Sequence, residues 1–131
     1  MNHIIRNYIS SDYSEIASWW EKSGHVAPIK GFMSPEVTYV LELDNIPALS
    51  LSMLLTNSKE AAYMEAFIKN PKFNNLHEYG FLLWDHCFKE AKKAGYKRVI
   101  CASNIPKLFS KYEDFGMKKV SENYTGFVRE L

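Results

Sequence analysis

The sequence predicts an α/β fold of the α+β kind, a mixed and mostly antiparallel central sheet of about six to seven strands flanked by helices. Three observations carry that expectation. Between Leu76 and Ala94, the residues Leu76, Tyr79, Gly80, Leu83, Trp84, Cys87, Phe88 and Ala91 recur at steps of three and four, which is the period of a helix with one buried stripe. Ahead of it, Val37 to Leu43, Ala48 to Leu55 and Ala62 to Lys69 are strand-like runs divided only by short turns, so neighbours among them must be antiparallel. Behind it, the apolar run Val99-Ile100-Cys101-Ala102 has the character of a strand covered on both faces.

Taken in order, His3 to Ile9 reads as a short strand. Ser11-Asp12-Tyr13-Ser14-Glu15 then supplies helix-start chemistry, with a short acceptor side chain at the cap and an acid in the first turn. The helix should run to about Lys22, burying Tyr13, Ile16, Ala17 and Trp20, with Gly24 as its left-handed stop; Trp19 lies off that stripe and is expected to be partly exposed. From His25 to Glu36, HVAPIKGFMSPE has two prolines, a glycine and no period, which predicts an irregular loop of the kind that carries binding residues. Asp44-Asn45-Ile46-Pro47 and Asn57-Ser58-Lys59-Glu60 are turns, and Asn70-Pro71 ends the third strand because proline cannot donate to a ladder. Lys89, Lys92 and Lys93 suit the C-terminal end of the long helix, which Gly95 closes. A strand from Lys97 to Ser103, a short helix from about Pro106 to Asp114, and strands near Met117 to Ser121 and Tyr124 to Arg129 complete the chain. No repeat or linker interrupts it, so residues 1–131 are expected to form one domain.

Composition narrows the function classes. The 131 residues carry 16 Lys and Arg against 15 Asp and Glu, so the net charge of +1 leaves no basic excess for counterion release, and nucleic acid is not expected as a partner. With 3 Trp, 8 Tyr and 8 Phe, a core can form without staples. Cys87 and Cys101 lack the spacing of a zinc site or a disulfide scaffold, so no metal is expected. Neither a secretory leader pattern nor a run of 18 apolar residues occurs, which predicts a soluble cytoplasmic protein without membrane contact.

Three constellations can carry chemistry. In IKNPKFNNLHEYG, a helix beginning near Asn74 or Asn75 aims unpaired N–H groups at its mouth, a setting for phosphate that Lys72 and His77 are placed to supplement; it is equally the pattern of an ordinary asparagine-capped helix. Glu65, within AYMEAFI, is an acid among apolar residues of a strand. It must face solvent, a salt bridge or a cleft, and in a cleft its proton affinity rises toward that of a general base. Tyr112 lies four residues before Gly116 at a helix end, where its hydroxyl can protonate a leaving group or simply anchor the helix. Cys101 reads as an inert core thiol, and Asp85-His86-Cys87 is no catalytic trio, because adjacent helical residues point about 100° apart.

The order of elements, together with Asn104 and YEDFGM, resembles the GNAT superfamily of N-acetyltransferases over nearly the whole chain, and DYSEIASWW and TNSKEAAYMEAFIKNP are similar to small GNAT proteins of phages and bacteria. The resemblance implies an acetyl-CoA-dependent N-acetyltransferase, with acetyl-CoA as co-substrate and the amine of a small molecule or protein as acceptor. It implies a wedge between the third meander strand and the strand from Lys97, with backbone groups of Phe67, Ile68 and Lys69 pairing with the pantetheine arm. The pyrophosphate would lie at the start of the long helix, around Asn75, Leu76, His77 and Gly80, while Asn104 would help to hold the arm. Glu65 falls on a frequent general-base position and Tyr112 on the general acid. The family's phosphate loop, Gln or Arg, two residues, Gly, one residue, Gly or Ala, is reduced here to FNNLHEYG, with one glycine and no arginine. That departure motivates the competing reading, a GNAT-fold binding or regulatory module without transferase activity. An exposed Trp19, Phe32 or the last strands would offer a surface for a homodimer.

Overall fold

The computed structural model describes residues 1–102, 109–119 and 129, in two units, Met1–Cys101 and Ala102–Leu131. The first holds strand β1 (His3–Asn7), helix α1 (Tyr13–Lys22), strands β2 (Thr38–Leu43), β3 (Ile46–Leu54) and β4 (Ala62–Lys69), helix α2 (His77–Lys93) and strand β5 (Val99–Ile100). The second holds helix α3 (Phe109–Asp114). The strands form one sheet in the order β1-β2-β3-β4-β5, antiparallel at the first three junctions and parallel between β4 and β5. This is the mixed, mostly antiparallel sheet expected, with five strands among the described residues rather than six to seven. The two strands expected near Met117 to Ser121 and Tyr124 to Arg129 lie largely outside the described residues, and Met117 to Lys119 are not strand.

Local chemistry explains the boundaries. Asp44 and Asn45 have φ of 49° and 67°, the paired left-handed conformation whose twist suits a two-residue hairpin, and Asp and Asn tolerate it better than most residues. The turn therefore needs only two residues, so β3 starts at Ile46 rather than Ala48. Pro47 is accommodated because the pairing of β2 and β3 shifts register between Leu41 and Glu42, leaving one residue of β3 outside the ladder. The second unit shows why a tyrosine precedes a glycine by four. Gly116, at φ 84°, donates its N–H to the Glu113 carbonyl at 2.9 Å while Met117 donates to the Tyr112 carbonyl at 3.0 Å, the paired bonds that terminate a helix through a left-handed residue.

The sheet has a helix on each face. Val40 clusters with Tyr8, Ile16, Trp19 and Met33 on the α1 side, whereas the neighbouring Tyr39 turns its ring to His86 of α2 at 4.9 Å, as strand alternation demands. Phe67 likewise meets Trp84 of α2 edge-on at 5.6 Å. Contrary to the expectation of partial exposure, Trp19 is only 1% exposed. It lies three residues after Ile16 on the same side of α1, so the buried stripe is centred on Ile16 and Trp19, and Trp20 packs at its margin. Trp19 is thereby withdrawn from any dimer surface. β5 is also shorter than expected and half-buried rather than covered on both faces, since it ends where its pairing with β4 ends.

Candidate functional site

The feature that organises the site is a fork in the sheet. β5 pairs with β4 only at Ala62↔Val99 and Tyr63↔Ile100, yet β4 continues to Lys69. From Met64 onward the edge of β4 that faces away from β3 has no partner strand among the described residues. A strand edge with outward N–H and C=O groups is a template for any extended ligand bearing amides. Phe67, Ile68 and Lys69 all lie on this open stretch.

A β-bulge sits at the centre of that stretch. Ser52 pairs with Glu65 and Ser50 with Ile68, so two steps along β3 correspond to three along β4. Ala66 takes up the extra residue with a φ of 56°. A non-glycine residue rarely adopts this conformation in a strand, and the bulge breaks the ladder and re-aims the backbone beside Glu65. Nothing in the sequence signals it, because alanine rather than glycine occupies the position.

Glu65 lies on the α1 face of the sheet, in register with Ser52 and, beyond it, Thr38. The Thr38 and Ser52 hydroxyls share a buried hydrogen bond of 2.9 Å, and Thr38 Oγ1 also accepts the Ser34 N–H at 3.3 Å. A polar row thus runs from the loop before β2 to the fork. The carboxylate is half-buried and forms no salt bridge among the described residues; burial raises its proton affinity above the usual carboxylate range. Half-buried and outside any ion pair among the described residues, Glu65 sits on the strand that borders the fork. Cys101, just past β5, is pushed up to about 11 by burial and then by the charge of Glu65, which places the two groups near one another at the fork. Cys87 is fully buried and pushed up to about 12, chiefly by burial, whereas Cys101, the thiol expected in the core, is only partly buried.

The mouth of α2 differs in detail from expectation. The helix starts at His77, and the cap position belongs to Leu76, which offers no side-chain hydrogen bond. Neither Asn74 nor Asn75 caps it; Asn75 instead turns the chain with a φ of 56°, and Leu76 is buried, which fixes the direction of entry. The Gly80 N–H donates to the Leu76 carbonyl at 2.7 Å, closing the first turn of α2. With no side-chain cap, the first turn of α2 keeps the anion-attracting character of a helix N-terminus, although Glu78 lies within it. Lys69 and Lys72 are exposed nearby in sequence.

Tyr112 occupies α3 and is partly buried, its carbonyl accepting the Phe115 and Met117 N–H groups at 3.1 and 3.0 Å. Asn104 lies outside the described residues. Among the described residues no group of three or more His, Cys, Asp or Glu could hold a metal, and no helix is long and apolar enough to cross a membrane. A surface hollow of about 640 Å³ lies toward the C-terminal end of α2, between His86, Lys89, Glu90, Lys92 and Lys93, and none of the fork residues lines it. Lys89 pairs there with Asp85 and Lys93 with Glu90, the arrangement of a solvated helix end.

No protein-family model matches the sequence, and no curated protein matches it. Solved structures do. Glucosamine-6-phosphate N-acetyltransferase from Arabidopsis thaliana superposes with a TM-score of 0.71 at 16% identity, covering 98% of this chain and 100% of that one. A predicted acetyltransferase from Clostridium acetobutylicum, solved with acetyl-CoA, gives 0.65 at 13% identity over 97% and 96% of the two chains. N-acetylglutamate synthase from Neisseria gonorrhoeae, solved with coenzyme A and L-arginine, gives 0.72 at 16% identity over 95% of this chain but 29% of its own. The chain has the fold of the GNAT N-acetyltransferases.

Proposed function

We propose that residues 1–131 form a single acetyl-CoA-dependent N-acetyltransferase domain that acetylates the amine of a small molecule or a protein. The observation that carries this reading is the fork, where a bulged and unpartnered edge of β4 begins as the pairing with β5 stops, with a half-buried carboxylate beside it. The structural neighbours solved with coenzyme A or acetyl-CoA support it.

In this reading the amide groups of the pantetheine arm pair with the backbone of Phe67, Ile68 and Lys69 as an added strand. The phosphates lie at the mouth of α2, around Asn75, Leu76, His77 and Gly80, drawn by the helix dipole and by the positive charge of Lys69 and Lys72 in place of the missing arginine. Asn104 helps to hold the arm. Bound acetyl-CoA supplies an activated acyl group and a thiolate leaving group. Glu65 takes the proton from the incoming amine, directly or through water, and its raised proton affinity matches that task near neutral pH. Tyr112 returns a proton to the departing sulfur, and holding both reactants in one cleft supplies the remaining advantage.

Thermal melting with and without CoA tests the reading directly. A ligand that binds only the native state stabilises it by about 2.7 kcal/mol at a hundredfold excess over its dissociation constant, a shift of several degrees for a domain of this size. A folded protein whose melting temperature does not move in millimolar CoA overturns the transferase reading in favour of a binding module.

A further inference from the structure

Asn70 reads in the sequence as no more than the residue before a strand-ending proline, yet it is only 6% exposed and all of its polar groups are engaged. Its backbone N–H donates to the Ala48 carbonyl at 2.8 Å, and its side-chain amide donates to the Pro47 carbonyl at 2.9 Å. Its side-chain oxygen accepts the Lys72 N–H at 3.0 Å, and its own carbonyl accepts the Phe73 N–H at 3.1 Å. The first pair ties the end of β4 to the irregular start of β3, where Ala48 falls outside the ladder with β2. The second pair closes the turn Asn70-Pro71-Lys72-Phe73, from which the chain passes through Asn75, in its left-handed conformation, to the buried Leu76 and into α2.

One residue therefore ties the start of β3 to the turn through which the chain passes from the end of β4 toward α2. We propose that Asn70 is the positioning residue for the phosphate-bearing half of the cofactor: it holds the segment 71–76 so that the mouth of α2 stays aligned with the Phe67–Lys69 edge. This rests on the transferase reading above and extends it. In FNNLHEYG one glycine remains, so the segment cannot rely on glycine flexibility to let the backbone approach a phosphate. A turn locked by two side-chain and two main-chain bonds reaches the same end by rigidity, since a loop already ordered before binding loses less entropy on binding. Asn70 touches no reacting atom in this scheme, and its effect is exerted through the loop.

The test compares CoA with pantetheine, which contains the arm but no phosphate, in titrations followed by NMR on the wild type and on Asn70→Ala. The expected result is a loss of at least tenfold in CoA affinity with pantetheine affinity changed less than twofold. A variant that weakens both ligands by the same factor, or leaves CoA affinity within twofold, overturns the assignment. If Asn70→Ala does not fold, Asn70→Ser keeps an oxygen for the Lys72 N–H and should show the same selective loss at roughly threefold; an equal effect on both ligands overturns the proposal there too. A wild type that binds neither ligand overturns the transferase reading itself, whereas a wild type that binds CoA beside an unselective variant overturns only the role of Asn70.

Discussion

Glu65 shows how a single residue can be placed by its neighbours rather than by its own type. Its acidity in an apolar run was visible in the sequence, but its exposure to the fork depends on the Ser52 and Thr38 register, which only the sheet supplies. On the mechanism proposed above, replacement by glutamine removes the base and should lower turnover by about a hundredfold or more. The same replacement has a pH-dependent effect on stability. Burial raises the folded-state pKa above the unfolded one, so the native protein holds the proton more tightly and loses stability as pH rises through the folded value. Glu65→Gln cannot ionise, so it should melt higher than the wild type at pH 8 and show no advantage at pH 4; equal melting at both values would mean that the carboxylate is solvated. On the proposed mechanism, Tyr112→Phe should reduce turnover on the order of a hundredfold while the helix end, whose main-chain bonds run to the Tyr112 carbonyl, keeps its form by circular dichroism.

At the scale of the element, β4 is where pattern reading succeeded and then stopped. Its bounds, Ala62 to Lys69, match the expectation, since the apolar run and the Asn-Pro stop are local signals. The bulge inside it is not local, because it arises from a mismatch in length between two strands that must both keep their buried faces inward. Ala66 holds the left-handed conformation at a cost of about 1 kcal/mol relative to glycine. Ala66→Gly should therefore leave unfolding by urea within about 1 kcal/mol of the wild type, the relief of strain being offset by the entropy of the freer chain. Ala66→Val should destabilise by about 2 kcal/mol, as a branched side chain tolerates positive φ poorly. Equal midpoints for the two variants would argue against the bulge.

At the scale of the first unit, Arg6 joins three parts of the chain. It donates to Glu42 of β2 at 2.9 Å and, with both terminal nitrogens, to Asp12 ahead of α1 at 2.8 and 2.9 Å. Asp12 also accepts the Ile9 N–H at 2.9 Å. Burial alone would push the Asp12 carboxyl up, but the Arg6 and Ile9 hydrogen bonds and the Arg6 charge outweigh it and hold the pKa below the usual range. Such a group stabilises the fold above its unfolded pKa, and that contribution is lost as pH falls through the lowered folded value. Asp12→Asn should cost about 2 kcal/mol at pH 7, and the difference from wild type should close in acid. Chemical denaturation at the two pH values measures both.

What the sequence determined by itself is the set of elements and their order, because helix period, strand alternation and turn residues act within a few residues of one another. It placed α2 and β4 almost to the residue, and it nominated Glu65 and the Phe67–Lys69 edge. Tertiary structure decided what those elements do together: which side of α1 buries a tryptophan, where β5 leaves β4, how Ala66 absorbs an extra residue, and that Asn70 clamps a loop instead of merely ending a strand. Each of these rests on partners distant in the chain, such as Pro47 for Asn70 and Ser52 for Glu65, and no local pattern encodes a contact whose other half lies elsewhere.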